Sequence, residues 1–135
     1  MNQAHWEHMY AKPLQEIPWE IEAIPKEVKQ WFKGKNIQKG VRVLDIGCGT
    51  GNYARYLQTL GCKVTGIDLS VQAIRIAKEK AGKTSGVKFI QADVLAWKPG
   101  AKFDFVLEYS VFHHIPAEHR KKYADRTAQG TFWRQ

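Results

Sequence analysis

The sequence is poor in several things, and each shortage narrows what the chain can be. Two cysteines, Cys48 and Cys62, stand in 135 residues, and they form no Cys-x-x-Cys pair. That count offers neither a disulfide framework nor a zinc-ligand spacing, and it suits a reduced, cytoplasmic protein. No apolar run is long enough to span a bilayer, so no membrane partner is expected. The start, "MNQAHWEHMYAKP", has neither the basic residues nor the apolar stretch of a secretory signal. Internal repeats and low-complexity segments are missing as well. Acidic residues are the minority charge, 13 against 21 Lys and Arg, which leaves a formal net charge of +8. Such a surplus is compatible with a nucleic-acid partner, but it is dispersed, with "HRKK" (119–122) its densest point. Dispersal favours plain solubility over a phosphate-binding footprint.

What is present suits one globular domain. Hydrophobic residues make up 44% and charged residues 25%, enough to bury a core without covalent staples. Pro13 and Pro18 bar a long helix from the first twenty residues. "PKEVKQWFK" (25–33) reads as a short helix with Pro25 in its first turn and Val28, Trp31 and Phe32 on one face. The period then changes. "VRVLDIG" (41–47), "KVTGIDLS" (63–70), "VKFIQADV" (87–94) and "FDFVLEYSVF" (103–112) read as strands. Between and after them, "NYARYLQTLG" (52–61), "VQAIRIAKEKAG" (71–82) and "PAEHRKKYADRTAQ" (116–129) read as helices. The first of these shows Tyr53, Tyr56, Leu57 and Leu60 as its apolar face, and Ser70 is placed to cap the second. Strands alternating with helices imply an α/β fold, a Rossmann-like doubly wound parallel sheet with right-handed crossovers. Ligands of such sheets lie at the carboxyl ends of the strands.

Gly47, Gly49 and Gly51 form a turn between the first strand and the first crossover helix. Glycine there permits a tight turn and a close approach to a ligand. A dinucleotide fold wants Gly-x-Gly-x-x-Gly, but the spacing here is Gly-x-Gly-x-Gly, and Asn52 stands where the third glycine would be. Asp45, two residues before the turn, would repel a pyrophosphate and favour an ammonium or sulfonium group. Asp68, at the end of the second strand, can accept hydrogen bonds from a ribose diol. Asp93, at the end of the third, can accept one from an adenine amino group. Acids at three consecutive strand ends suit a cationic ligand bearing ribose and adenine, and suit a polyanion poorly. Cys48, between two glycines, reads as packing and not as a nucleophile.

With "LDIGCGTG" (44–51), "GIDLS" (66–70), "QADV" (91–94) and "FDFVLEYSVFHHIP" (103–116) in order, the sequence resembles the class I S-adenosylmethionine-dependent methyltransferases. Within them, "IPWE" (17–20), "EYSVFHHIP" (108–116) and "RKKYA" (120–124) resemble the thiopurine, thiol and tellurite-resistance group. The resemblance implies S-adenosyl-L-methionine as cofactor and a small methyl acceptor with a soft nucleophile. A truncated domain that binds the cofactor without turnover is the alternative, and an RNA or protein methyltransferase is less favoured. The resemblance implies that Asp45, Gly47, Gly49, Gly51, Asp68, Leu69, Asp93, Val94 and Glu108 contact the cofactor, with Trp19 and Tyr10 closing over it. Trp19 could equally be a core residue, and for Tyr10 packing is favoured over binding. It also implies that Tyr109, Ser110 and His113 act at the reacting end; the His113-His114 pair departs from the family pattern.

On this basis residues 1–38 form a cap segment, 39–129 the cofactor-binding half of a methyltransferase domain, and 130–135 an atypical tail. The family sheet, ordered 3-2-1-4-5-7-6, would be represented by its first four strands. That would leave the fourth as an apolar open edge, which pairs with a second copy or is covered by "TFWRQ".

Overall fold

A computed structural model of the chain describes residues 3–18, 20, 23–83, 86–108 and 115–128. Four strands form one parallel sheet: β1 (Arg42–Ile46), β2 (Lys63–Asp68), β3 (Val87–Gln91) and β4 (Phe105–Glu108). Their order is β3-β2-β1-β4, the order expected for the first half of the doubly wound fold. Helix α3 (Asn52–Thr59) crosses from β1 to β2, and α4 (Val71–Ala81) from β2 to β3. Helices α1 (Gln3–Tyr10) and α2 (Lys26–Gly34) precede the sheet, and α5 (Arg120–Ala128) follows it. No helix among the described residues is long and apolar enough to cross a membrane.

Both faces of the sheet are covered, as a parallel sheet requires. Strand alternation sends Val43, Val64 and Phe89 to one face, where they pack with Phe32 of α2, Ala54 and Leu57 of α3, and Ile74 and Ala77 of α4. Leu44, Ile46 and Ile67 go to the other, against Val94, Phe103, Ile115 and Tyr123. Asp45 belongs by register to the first face, beside Gly66 of β2 and Leu107 of β4.

The strand ends differ from the sequence expectation. β3 stops at Gln91, not at residue 94, because Asp93 turns the chain. Its side chain accepts a hydrogen bond from Leu95 N (2.9 Å) and its carbonyl accepts from Trp97 N (2.8 Å). Helix α1 has no counterpart in the expected elements. It has little amphipathic pattern and buries only Tyr10. Trp31 does not share the burial of its helix neighbour. Phe32 is fully buried, whereas Trp31 is 45% exposed and lies edge-on to Phe105 of β4, with ring centroids 5.6 Å apart. β4 is the last strand of the sheet among the described residues, and Trp31 thus partly covers it. Ser70 caps α4 as expected, accepting from Ala73 N at 3.0 Å.

Candidate functional site

The glycine turn is held by the neighbouring strand. Gly47 N and Cys48 N both donate to the carbonyl of Ile67 in β2 (2.9 and 3.0 Å), and Gly51 N donates to Cys48 O at 2.9 Å. Gly47, Gly49 and Gly51 have φ of +69°, +56° and +86°, so all three need the left-handed freedom of glycine. The close approach expected of a ligand is, at two of them, made by the protein itself. A Cβ on Gly51 would stand 2.6 Å from the ring of Phe89, and one on Gly49 would stand 2.9 Å from the hydroxyl of Tyr10. Gly47 is the exposed member of the set. Cys48 packs against Gly66, and burial holds its thiol well above the usual range, so it is no nucleophile.

The acids are not equivalent. Asp45 is 4% exposed, and its Oδ2 has no hydrogen-bond partner among the described residues. Burial, and then the charge of Asp68, pushes its carboxyl up to about 8. The sequence suggests a charged carboxylate there, whereas burial beside Asp68 favours the protonated form near neutral pH. Asp68 is half-buried and held at both oxygens, with Oδ2 accepting from Gly49 N (2.9 Å) and Oδ1 from Ser70 N (3.0 Å). Burial raises its carboxyl and these N–H groups oppose the rise. Each oxygen keeps a second lone pair for a diol. Leu69 is half-buried and its carbonyl accepts from Gln91 Nε2 at 3.1 Å.

Asp93 is exposed just beyond β3, with one oxygen engaged in its own turn. Val94 turns its side chain away from the rim, so that only its backbone N–H is left for a ligand. Its side chain is 2% exposed within the second core, and its carbonyl accepts from Arg126 Nε at 2.9 Å. Glu108, at the end of β4, is half-buried beside Tyr123, whose phenol is held protonated by burial and by the Glu108 charge. Trp19, Tyr109, Ser110, His113 and His114 lie outside the described residues. Among the described residues no group of three or more His, Cys, Asp or Glu is arranged to hold a metal ion.

Two further acids tie the leading segment to the rim of the site, and the expectations for individual site residues omitted both. Glu7 of α1 accepts from Ser70 Oγ and from Gln72 N (3.2 Å). Glu20 accepts from Thr50 Oγ1 and Asn52 Nδ2 (3.2 Å), and pairs with Lys80 Nζ at 3.6 Å. Tyr10, 4% exposed, packs with Ile17 and Ala73. Glu20 stands in the quoted "IPWE"; nothing in the sequence marks Glu7.

Among curated proteins, the ubiquinone biosynthesis O-methyltransferase of Paraburkholderia phymatum is 36% identical over 108 residues, which is 78% of this chain and 44% of that protein. The protein of the same name from Thiobacillus denitrificans is 32% identical over 108 residues, with the same shares covered. The chain therefore spans less than half the length of these relatives. A structure solved in work on the conversion of a disulfide bond into a thioacetal group during echinomycin biosynthesis superposes with a TM-score of 0.75. It is 33% identical, over 91% of this chain and 54% of that one. A methyltransferase structure from Thiobacillus denitrificans with bound S-adenosyl-L-homocysteine has a TM-score of 0.55 and is 29% identical, over 69% and 40% of the two chains. The curated names describe O-methylation, not the thiopurine, thiol or tellurite chemistry that the closer resemblance implied. A model described as "Methyltransferase domain" matches residues 43–130, and on that match the chain belongs to the methyltransferase domain family.

Proposed function

We propose that this chain is the cofactor-holding part of an S-adenosylmethionine-dependent methyltransferase that acts on a small molecule. The observation that carries the proposal is the pairing of Asp45 and Asp68 behind the glycine turn. One is a buried acid whose Oδ2 lacks a donor among the described residues, and the other is an acid fixed by two backbone N–H groups. A buried acceptor without a donor is costly unless a ligand supplies one. The ammonium of a bound methionine moiety would supply it. Asp68 would take the ribose diol with its remaining lone pairs, and Asp93 the adenine amino group with its free oxygen. Tyr10, Glu7 and Glu20 would hold the leading segment over the turn and keep water out.

When bound, the cofactor supplies an electrophilic methyl carbon on a sulfonium centre. The chain's share of the work is then mostly alignment of that centre with the acceptor, because in-line displacement depends on proximity and orientation. The names of the curated relatives support a hydroxyl oxygen as acceptor. A sulfur acceptor is the second reading, supported by the relative from disulfide-to-thioacetal conversion.

The test is calorimetric titration of the chain with S-adenosylhomocysteine, with NAD as control. Micromolar binding of the first alone is expected, followed by methyl transfer to phenolic hydroxyls or to thiols in the presence of the donor. Equal binding of NAD, or no binding of either, would overturn the reading.

A further inference from the structure

Among the described residues, Asp45 is the one carboxyl of the candidate site that is both buried, at 4% exposed, and short of a hydrogen-bond donor at Oδ2. It sits in β1, on the sheet face packed against α2, α3 and α4, in register with Gly66 of β2 and Leu107 of β4. The charge that bears on it most is that of another acid. Asp68 on β2 accepts hydrogen bonds from Gly49 N and Ser70 N. Cys48 in the turn is a buried thiol, and Glu7 on α1 adds negative charge near Asp68. Lys80 of α4 is occupied by Glu20. A negative charge at Asp45 would therefore stand close to a second acid at a position only 4% exposed, which favours the proton.

We propose that a cationic ligand seats at Asp45 only as the carboxyl loses its proton, so that ligand uptake and proton release are one event. The step balances simply. The O–H bond of Asp45 breaks, the proton passes to solvent, and the resulting carboxylate oxygen accepts a hydrogen bond from the ligand ammonium, which stays protonated. This rests on the reading of the site as one for S-adenosylmethionine. It adds that affinity is set by pH through a single group, and that the site rejects cationic ligands in acid.

The experiment is calorimetry with S-adenosylhomocysteine at pH 7 in phosphate and in Tris, whose ionisation enthalpies differ. About nine-tenths of a proton should be released per ligand bound, because a carboxyl titrating at about 8 is about nine-tenths protonated there. By the same relation Kd should weaken about fiftyfold from pH 8 to pH 6. In Asp45→Asn both effects should vanish. Binding without buffer dependence overturns the inference and leaves the functional reading standing. So does a pH dependence that persists in Asp45→Asn, which would assign it to another group such as Asp68. If Asp45→Asn fails to bind, the two buffers and the pH series on the unaltered chain still decide. Absence of binding in every buffer removes the functional reading, and the inference with it.

Discussion

Replacing Asp45 with Asn should change the pH dependence of folding stability more than its value at any one pH. An unfolded aspartate titrates at 3.8, whereas the buried Asp45 keeps its proton up to about 8. Between those limits the folded chain binds more protons than the unfolded one, so stability falls as pH rises. The contribution is whole below 3.8 and is lost as pH climbs through about 8. Each pH unit in that window costs about 1.4 kcal/mol. With Asp45 only 4% exposed, solvent screening calls for no discount. Asn does not titrate, so its stability relative to Asp should rise by about 2–3 kcal/mol between pH 5 and pH 7. Taking the difference between two pH values cancels whatever Asn does to packing. Urea unfolding of both chains without ligand, at matched ionic strength, measures it, provided the slopes with denaturant agree. A relative stability that is flat across that interval would refute the argument and show that water or an unrecognised donor reaches the carboxyl.

Gly51→Ala should destabilise the chain by about 3 kcal/mol in urea unfolding, since it combines a φ of +86° with a Cβ 2.6 Å from Phe89. Glu20→Gln should cost about 1–3 kcal/mol by removing the charge opposite the partly buried Lys80. It should also speed limited proteolysis near residue 20, read by mass spectrometry against the unaltered chain. Arg126→Ala releases the carbonyls of Val94 and Trp97, and its denaturation midpoint should fall by an amount worth about 1–3 kcal/mol.

The alternation of strand and helix was legible because the periods of 2 and 3.6 change sharply at Gly40, Gly47 and Gly61 in this sequence. Strand ends were less so. "QADV" continues an extended pattern, yet Asp93 spends its side chain on Leu95 N–H and the strand ends three residues early. Helix α1 was hidden because its order comes from tertiary partners, Ser70 and Gln72 for Glu7 and the glycine turn for Tyr10, and not from its own pattern. The positions of Asp45 and Asp68 at strand ends could be read from the motifs. Their difference could not. An acid is expected at a surface, and only the pairing of Asp45 with Gly66 on the packed face shows that it is enclosed. Val94 shows the converse, a residue of a recognised motif whose side chain serves the core.

The carbonyl of Ile67 receives two N–H groups from the glycine turn. The turn therefore takes its shape from a strand formed by residues later in the chain, and a peptide ending before β2 would have the glycines without the cradle. Cofactor binding would then report cooperative assembly of β1 on β2, and a ligand at a hundred times its Kd would add about 2.7 kcal/mol to the stability of the assembled state alone. In a folding experiment, the appearance of the site should coincide with strand pairing and should not precede it.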